Sequence, residues 1–95
     1  MICKYPIMVT WQSGAQNVMI PTPHTLLHVG EQNGVLTVWA DVPDPEGPPV
    51  AWTFVVVWTG QSAPPIASRH IGTVQCHNGL VAHVYRGAHQ YRGDP

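Results

Sequence analysis

Residues 26–40 read LLHVGEQNGVLTVWA, and this stretch decides the fold. The Asn33-Gly34 pair at its centre suits a type I′ turn, because both central residues of that turn need positive φ. The flanking segments are rich in residues that fit a pleated surface. A second pair, Asn78-Gly79, lies between runs of the same kind. The sequence therefore predicts two β-hairpins with two-residue turns.

A two-residue turn fixes the register of the first hairpin. The predicted pairs are Gln32 with Val35, Val29 with Val38, and His28 with Trp39. Side chains alternate between the two faces of a strand, so one face is almost wholly aliphatic and we expect it to be core. That face carries Leu27, Val29, Leu36, Val38 and Ala40.

The same turn length sets the expected register of the second hairpin. The predicted pairs are Cys76 with Val81, Val74 with His83, and Gly72 with Tyr85. A tyrosine opposite a strand glycine covers bare backbone, so the last pair is interpreted as structural. Both faces of this hairpin are mixed, and the sequence leaves its inward face open.

Prolines and glycines interrupt the chain so often that no window has a helical period. The candidate strands are Ile2–Thr10, Gln16–Ile20, Leu26–Gln32, Val35–Val42, Ala51–Thr59, Arg69–Cys76 and Leu80–Arg86. The strand over Ala51–Thr59 is apolar on both faces, which is typical of a central strand. We predict an all-β fold, a small antiparallel sandwich or partly open barrel of about six to seven strands. Residues 1–86 form the domain, and residues 87–95 are a flexible tail.

Charge is scarce in this chain. Only 9% of its residues are charged, whereas a typical soluble domain has about 25%. The net charge is −1, so little repulsion keeps copies apart, and we expect a homo-oligomer or a permanent protein partner. Four basic residues are too few for the phosphate contacts on which nucleic-acid binding depends.

Cysteine usage and hydropathy bear on location. Cys3 and Cys76 allow one disulfide at most, which fits a reduced compartment better than a secreted disulfide scaffold. Lys4 and Pro6 interrupt the start of the chain, so no signal peptide is expected. The apolar run Phe54–Trp58 is far too short to span a membrane. These features favour the cytoplasm.

Metal binding is one alternative. Under the predicted register Cys76 and His83 lie diagonally on one face, and His70 or His28 would extend the set toward a tetrahedral zinc site. None of these residues has the short spacing of established zinc sites. We therefore expect no cofactor.

Catalysis is not expected either. Cys76 and His77 are adjacent in sequence, but neighbours on a strand point to opposite faces. The chain has no nucleophile elbow, phosphate-binding loop or dinucleotide fingerprint. The sequence therefore predicts a binding protein and no enzyme.

Two kinds of residue are candidates for a partner interface. Trp11 and Trp58 lie near strand ends, where aromatic rings often anchor interfaces. Asp41, Asp44 and Glu46 lie in a proline-rich connector, which can present carboxylates to a basic patch on a partner. Proline restricts the backbone, so such a connector loses little entropy on ordering.

The chain also resembles a family of small bacteriophage-encoded domains of unknown function. The residues that carry the resemblance are Leu27-His28-Val29, Val38-Trp39-Ala40, Phe54-Val55-Val56, Thr59-Gly60, His70–Gln75 and Leu80–Tyr85. It covers Lys4 to Tyr85, with two departures. Trp58 stands where members commonly have Gly, and Ala82 where they often have Trp. The resemblance implies a phage protein acting in the cytoplasm of an infected bacterium.

Together these observations predict a phage accessory protein that works by protein–protein binding as a homo-oligomer. Its target would be a host factor or a host defence. One alternative is a minor virion component such as a decoration protein. Another is a small metal- or ligand-binding β barrel.

Overall fold

A computed structural model of the protein describes residues 1–8 and 14–87. Its strands are β1 Ile2–Pro6, β2 Gly14–Pro21, β3 Thr25–Gln32, β4 Val35–Asp41, β5 Pro49–Trp58, β6 Ala67–Gln75 and β7 Val81–Gly87. They form two antiparallel sheets, β1-β4-β3 and β2-β5-β7-β6. The predicted all-β fold is confirmed, in its sandwich form rather than as a barrel. No helix capable of crossing a membrane occurs in the described ranges.

The first hairpin forms as predicted. Asn33 and Gly34 have φ values of 52° and 79°, as a type I′ turn requires. Gln32 pairs with Val35. The other two predicted pairs, Val29 with Val38 and His28 with Trp39, are also confirmed.

A β-bulge changes the register of this hairpin further from the turn. The register shifts between Leu26 and His28, so Leu26 pairs with Ala40 and Leu27 is the extra residue. Leu26 packs against the core, whereas Leu27 is 49% exposed. The prediction of Leu27 on the core face was therefore wrong, because an inserted residue reverses the faces of those beyond it.

The second hairpin has a different turn. The amide of Cys76 donates to Leu80 O at 2.8 Å, and the amide of Gly79 donates to Cys76 O at 2.9 Å. The loop between these bonds has three residues, 77–79, and its positive φ of 87° falls on Gly79. This arrangement is a type I turn followed by a left-handed glycine. The predicted two-residue turn was wrong.

The extra loop residue moves every pair of the second hairpin. The observed pairs are Gln75 with Val81, Thr73 with His83, Gly72 with Val84, and His70 with Tyr85. The predicted pairs of Cys76 with Val81, Val74 with His83 and Gly72 with Tyr85 were therefore wrong. The inward face, left open by the sequence, is the one that buries Val74, Ala82 and Val84.

Strand β5 lies between β2 and β7 and is buried on both faces over residues 54–57. The prediction of a central strand is confirmed. The core cluster comprises Ile7, Ile20, Val29, Leu36, Val38, Ala40, Val42, Phe54, Val56, Val74, Ala82 and Val84. Strands β3 and β6 are sheet edges that lie against each other. They approach closely, since a Cβ added at Gly72 would overlap Val29 Cγ1.

Candidate functional site

A groove of about 330 Å³ runs between the edge strands β3 and β6. Its lining includes Arg69, Arg86, His24, His28 and His70. The whole chain has only four lysines and arginines, and two of them are here. Among the described residues that line the groove there is no carboxylate. The groove is therefore the cationic feature of a sparsely charged protein.

Three β-bulges shape this groove. The register shifts leave Leu27 unpaired in β3, and Ser68 and Ile71 unpaired in β6. Leu27 and Ile71 line the groove directly, while Ser68 Oγ donates to Arg86 O at 3.0 Å. Bulges at sheet edges redirect side chains and are frequent beside functional sites. Here they give both edges of the groove an irregular backbone.

Arg69 and Arg86 are cross-strand partners on β6 and β7. Like charges placed directly opposite each other destabilise a sheet. Burial, followed by the charge of Arg69, lowers the pKa of the Arg86 guanidinium. Both effects disfavour a cation at this position, and an anion bound between the two guanidiniums would offset them.

Aromatic rings support the partly buried Arg86. Its Cζ lies 4.2 Å from the centroid of Trp52 and 5.4 Å from that of Phe54. Arginine stacks well on aromatic faces because its guanidinium is planar and weakly hydrated. The Nε atom of Arg86 is buried and has no hydrogen-bond acceptor among the described residues. One donor of this side chain therefore remains unsatisfied.

His24 orients the same guanidinium. Its Nδ1 lies 2.9 Å from Pro21 O, and a carbonyl only accepts, so Nδ1 carries the proton. The other ring nitrogen, Nε2, is then an acceptor, and Arg86 Nη2 donates to it at 2.8 Å. The ring edge also contacts Trp52, with 5.0 Å between centroids. The hydrogen bonds thus assign a neutral His24 that fixes Arg86 at the groove.

The predicted acidic interface residues lie outside the groove. The Asp41 carboxylate is 3.3 Å from the amino group of Met1. Asp44 and Glu46 are exposed in the loop between β4 and β5, and neither carboxylate forms an ion pair with a described residue. The structure therefore brings the three residues together on one connector, with Asp41 already paired.

The tryptophan candidates are placed differently. Trp58 ends β5, pairs with Ala82 across the strands, and is half-buried against the core. Trp11 lies outside the described residues. The predicted role of both side chains at an interface stays a prediction.

A polar chain crosses the opposite face of the second sheet. His83 Nε2 lies 2.8 Å from Thr59 Oγ1, and His83 Nδ1 lies 3.1 Å from Thr73 Oγ1. His70 Nε2 lies 3.0 Å from the same Thr73 hydroxyl. These bonds occupy both nitrogens of His83. Its predicted diagonal neighbour Cys76 lies in the turn instead, because of the register shift.

This placement bears on the metal alternative. Cys76 Sγ contacts Val74 O at 4.0 Å, and burial raises the pKa of its thiol. Within residues 1–8 and 14–87, no three His, Cys, Asp or Glu side chains are grouped to hold a metal ion. The ligand set suggested by the sequence is not assembled among them.

The sequence analysis missed the arginines of the groove. Arg69 pairs with Arg86 only after the three-residue turn and two bulges have shifted the register. A correct register would have shown two like charges facing each other, which is itself an indication of a binding site. The low number of basic residues, used above only to argue against nucleic acid, was the available signal.

The fold and the site together define a two-sheet β-sandwich with a cationic groove at one edge. Residues 1–93 match the domain of unknown function DUF7352, and the chain belongs to that family. The expected membership in a family of small domains of unknown function is thus confirmed. No curated protein and no solved structure matches the chain.

Proposed function

We propose that the protein works by binding protein, and that its groove holds an acidic group of the bound polypeptide. The observation that carries this proposal is the cross-strand pair Arg69 and Arg86, which no described carboxylate neutralises. Arginine presents several donors in a planar fork that matches a carboxylate. The bound acid would satisfy the guanidiniums and reduce their mutual repulsion.

Apolar groups beside the cations favour a polypeptide over a small inorganic anion. Leu27 and Ile71 line the groove next to the arginines, and Leu27 is 49% exposed. Interfaces typically combine apolar contacts, which supply most of the affinity, with charged groups that set specificity. An acidic residue flanked by apolar residues would match both parts of the groove.

The setting of this activity follows from the sequence resemblance. We propose a phage accessory protein that modulates a host factor or a host defence in the cytoplasm of an infected bacterium. It acts by binding, without catalysis or a cofactor. The scarcity of charge, 9% of all residues, supports association as its mode of action.

Nuclear magnetic resonance titration tests the groove. The probe is the peptide acetyl-Glu-Ala-Glu-Ala-Glu-Ala-amide, and the Gln-for-Glu peptide is its neutral control. We expect backbone amide shifts at residues 25–29 and 69–71 with the acidic peptide alone. Addition of salt should weaken the response, because partly exposed charges are screened.

Two variants with equal loss of charge sharpen the test. Arg69→Gln removes a groove cation, and Lys4→Gln removes a cation whose Nζ donates to Gln32 Oε1 at 2.7 Å on the other sheet. We expect affinity for the acidic peptide to fall about fivefold in Arg69→Gln, equivalent to about 1 kcal/mol. Equal affinities of the two variants, or shifts that avoid the groove, would contradict the proposal.

A further inference from the structure

We infer that the groove of one copy receives the acidic loop of a second copy of this chain. The acidic loop is residues 42–48, between β4 and β5, and carries Asp44 and Glu46. This inference rests on the proposed function and names the bound polypeptide. The partner copy thereby contributes carboxylates to a site that is incomplete in one copy.

Most charges outside the two regions already have a partner. Lys4 donates to Gln32 Oε1 at 2.7 Å. Asp41 lies 3.3 Å from the Met1 amino group, and Glu31 lies 2.9 Å from His77 Nδ1. These charges are satisfied within the copy and leave little for a partner to bind.

The charges that remain are complementary. Arg69 and Arg86 are positive in the groove, and Asp44 and Glu46 are negative on the acidic loop. Among the described residues none of these four forms an ion pair. Two unneutralised cations and two unneutralised carboxylates on one surface match each other across a pair of copies.

The positions of groove and acidic loop allow a symmetric exchange. Thr25, in the groove wall, pairs with Asp41 immediately before the acidic loop. Pro49, immediately after it, pairs with Pro21, whose carbonyl contacts His24 of the groove. The two features therefore lie at the same end of the sandwich. A two-fold axis beside that end places each acidic loop against the groove of the other copy.

The acidic loop is already ordered for binding. Val42 is fully buried at its base, and Gly47 N donates to Asp44 O at 3.0 Å. Prolines at 43, 45 and 48 restrict its backbone. Such a segment loses little conformational entropy on docking. Its prolines also supply apolar surface to meet Leu27 and Ile71 of the groove.

Sedimentation velocity with charge-reversed variants tests the exchange. The groove variant is Arg69→Glu, and the acidic-loop variant is Asp44→Lys with Glu46→Lys. We expect a dimer of the unchanged chain, and a dissociation constant raised about tenfold or more in each variant alone. An equimolar mixture of the two variants should form a dimer again, because each acidic loop then meets a groove with less like charge.

Controls separate this result from general effects. Glu31→Lys reverses one charge at the other end of β3 and should leave the dimer intact. Thermal unfolding checks that every variant is folded, and Arg69→Gln replaces Arg69→Glu if the reversal does not fold. A dimer that persists in both charge-reversed variants would overturn the inference.

The proposed function can fail or survive separately. A wild-type chain that stays monomeric at millimolar concentration, yet binds the acidic hexapeptide in the groove, overturns the second copy as occupant and leaves acid binding in place. A wild-type dimer sensitive to the two reversals supports the inference. A groove that binds no acidic peptide, with a dimer insensitive to Arg69→Glu, overturns both.

Discussion

Arg69 and Arg86 face each other directly across β6 and β7, in a protein with only four lysines and arginines. A sheet gains nothing from this pairing, since like charges opposite each other are destabilising. Replacement of Arg69 should therefore stabilise the isolated domain while it weakens acid binding. The two properties are expected to move in opposite directions.

The first prediction quantifies that opposition. Arg69→Gln should raise the free energy of unfolding by about 0.5 kcal/mol, measured by urea denaturation at low salt and at a concentration where the protein is monomeric. The gain should shrink in high salt, which screens the repulsion in the unchanged protein. Lys4→Gln is the matched control and should produce no gain, because Lys4 bonds to Gln32.

A second prediction concerns His24. His24→Leu removes the acceptor of Arg86 Nη2 and the donor to Pro21 O. The free energy of unfolding should fall by about 1–2 kcal/mol, because a partly buried cation loses its partner. Affinity for the acidic peptide should fall as well, since the guanidinium is no longer fixed. His77→Leu lies away from the groove and should leave peptide affinity unchanged; equal losses in both variants would argue against an orienting role for His24.

The close approach of the two sheets gives a third prediction. Gly72→Ala should lower the free energy of unfolding by about 1–3 kcal/mol, because the new methyl group would overlap Val29 Cγ1. Val29→Ala removes that atom, so the double variant should be more stable than the sum of the two single effects predicts. Simple additivity in urea denaturation would show that the two sheets are not in contact at this point.

The fourth prediction is a pH dependence at the hairpin ends. Hydrogen bonds from the His77 side chain and then its amide lower the pKa of Glu31 from its ordinary 4.5. A carboxyl whose folded pKa is lowered stabilises the fold above its unfolded pKa, and this contribution is lost as the pH falls through the folded value. Glu31→Gln should therefore be less stable than the unchanged chain near neutral pH. The difference should shrink on acidification from about pH 6 to about pH 3, followed by urea denaturation; a constant difference would contradict the assignment.

Comparison of the two turns shows what local sequence can and cannot predict. Both contain Asn-Gly, yet only the first forms the two-residue turn. In the second, Glu31 Oε1 accepts from the amide of His77 at 2.8 Å, and Asn78 Oδ1 accepts from the amide of Leu80 at 3.0 Å. The first of these bonds joins two hairpins that are distant in sequence. Turn chemistry predicted the fold, but this contact between hairpins was not visible in it.

The candidate site was beyond the sequence for a related reason. Arg69 meets Arg86 only because bulges at Ser68 and Ile71 correct the register of β6. Bulges leave little local signal in a chain where neither face of the strand is cleanly apolar. The acidic residues Asp44 and Glu46 were found because they stand together in a proline-rich connector. One half of the proposed interface was therefore visible in the sequence, and the other depended on pairing.

The bulges at Leu27, Ser68 and Ile71 have one more effect. A foreign strand that aligned with either border of the groove would meet amides and carbonyls spaced out of step with its own. Endless side-by-side growth into fibrils is blocked at these borders. A chain with so little charge to keep it in solution thus avoids runaway stacking through the uneven spacing of its own backbone.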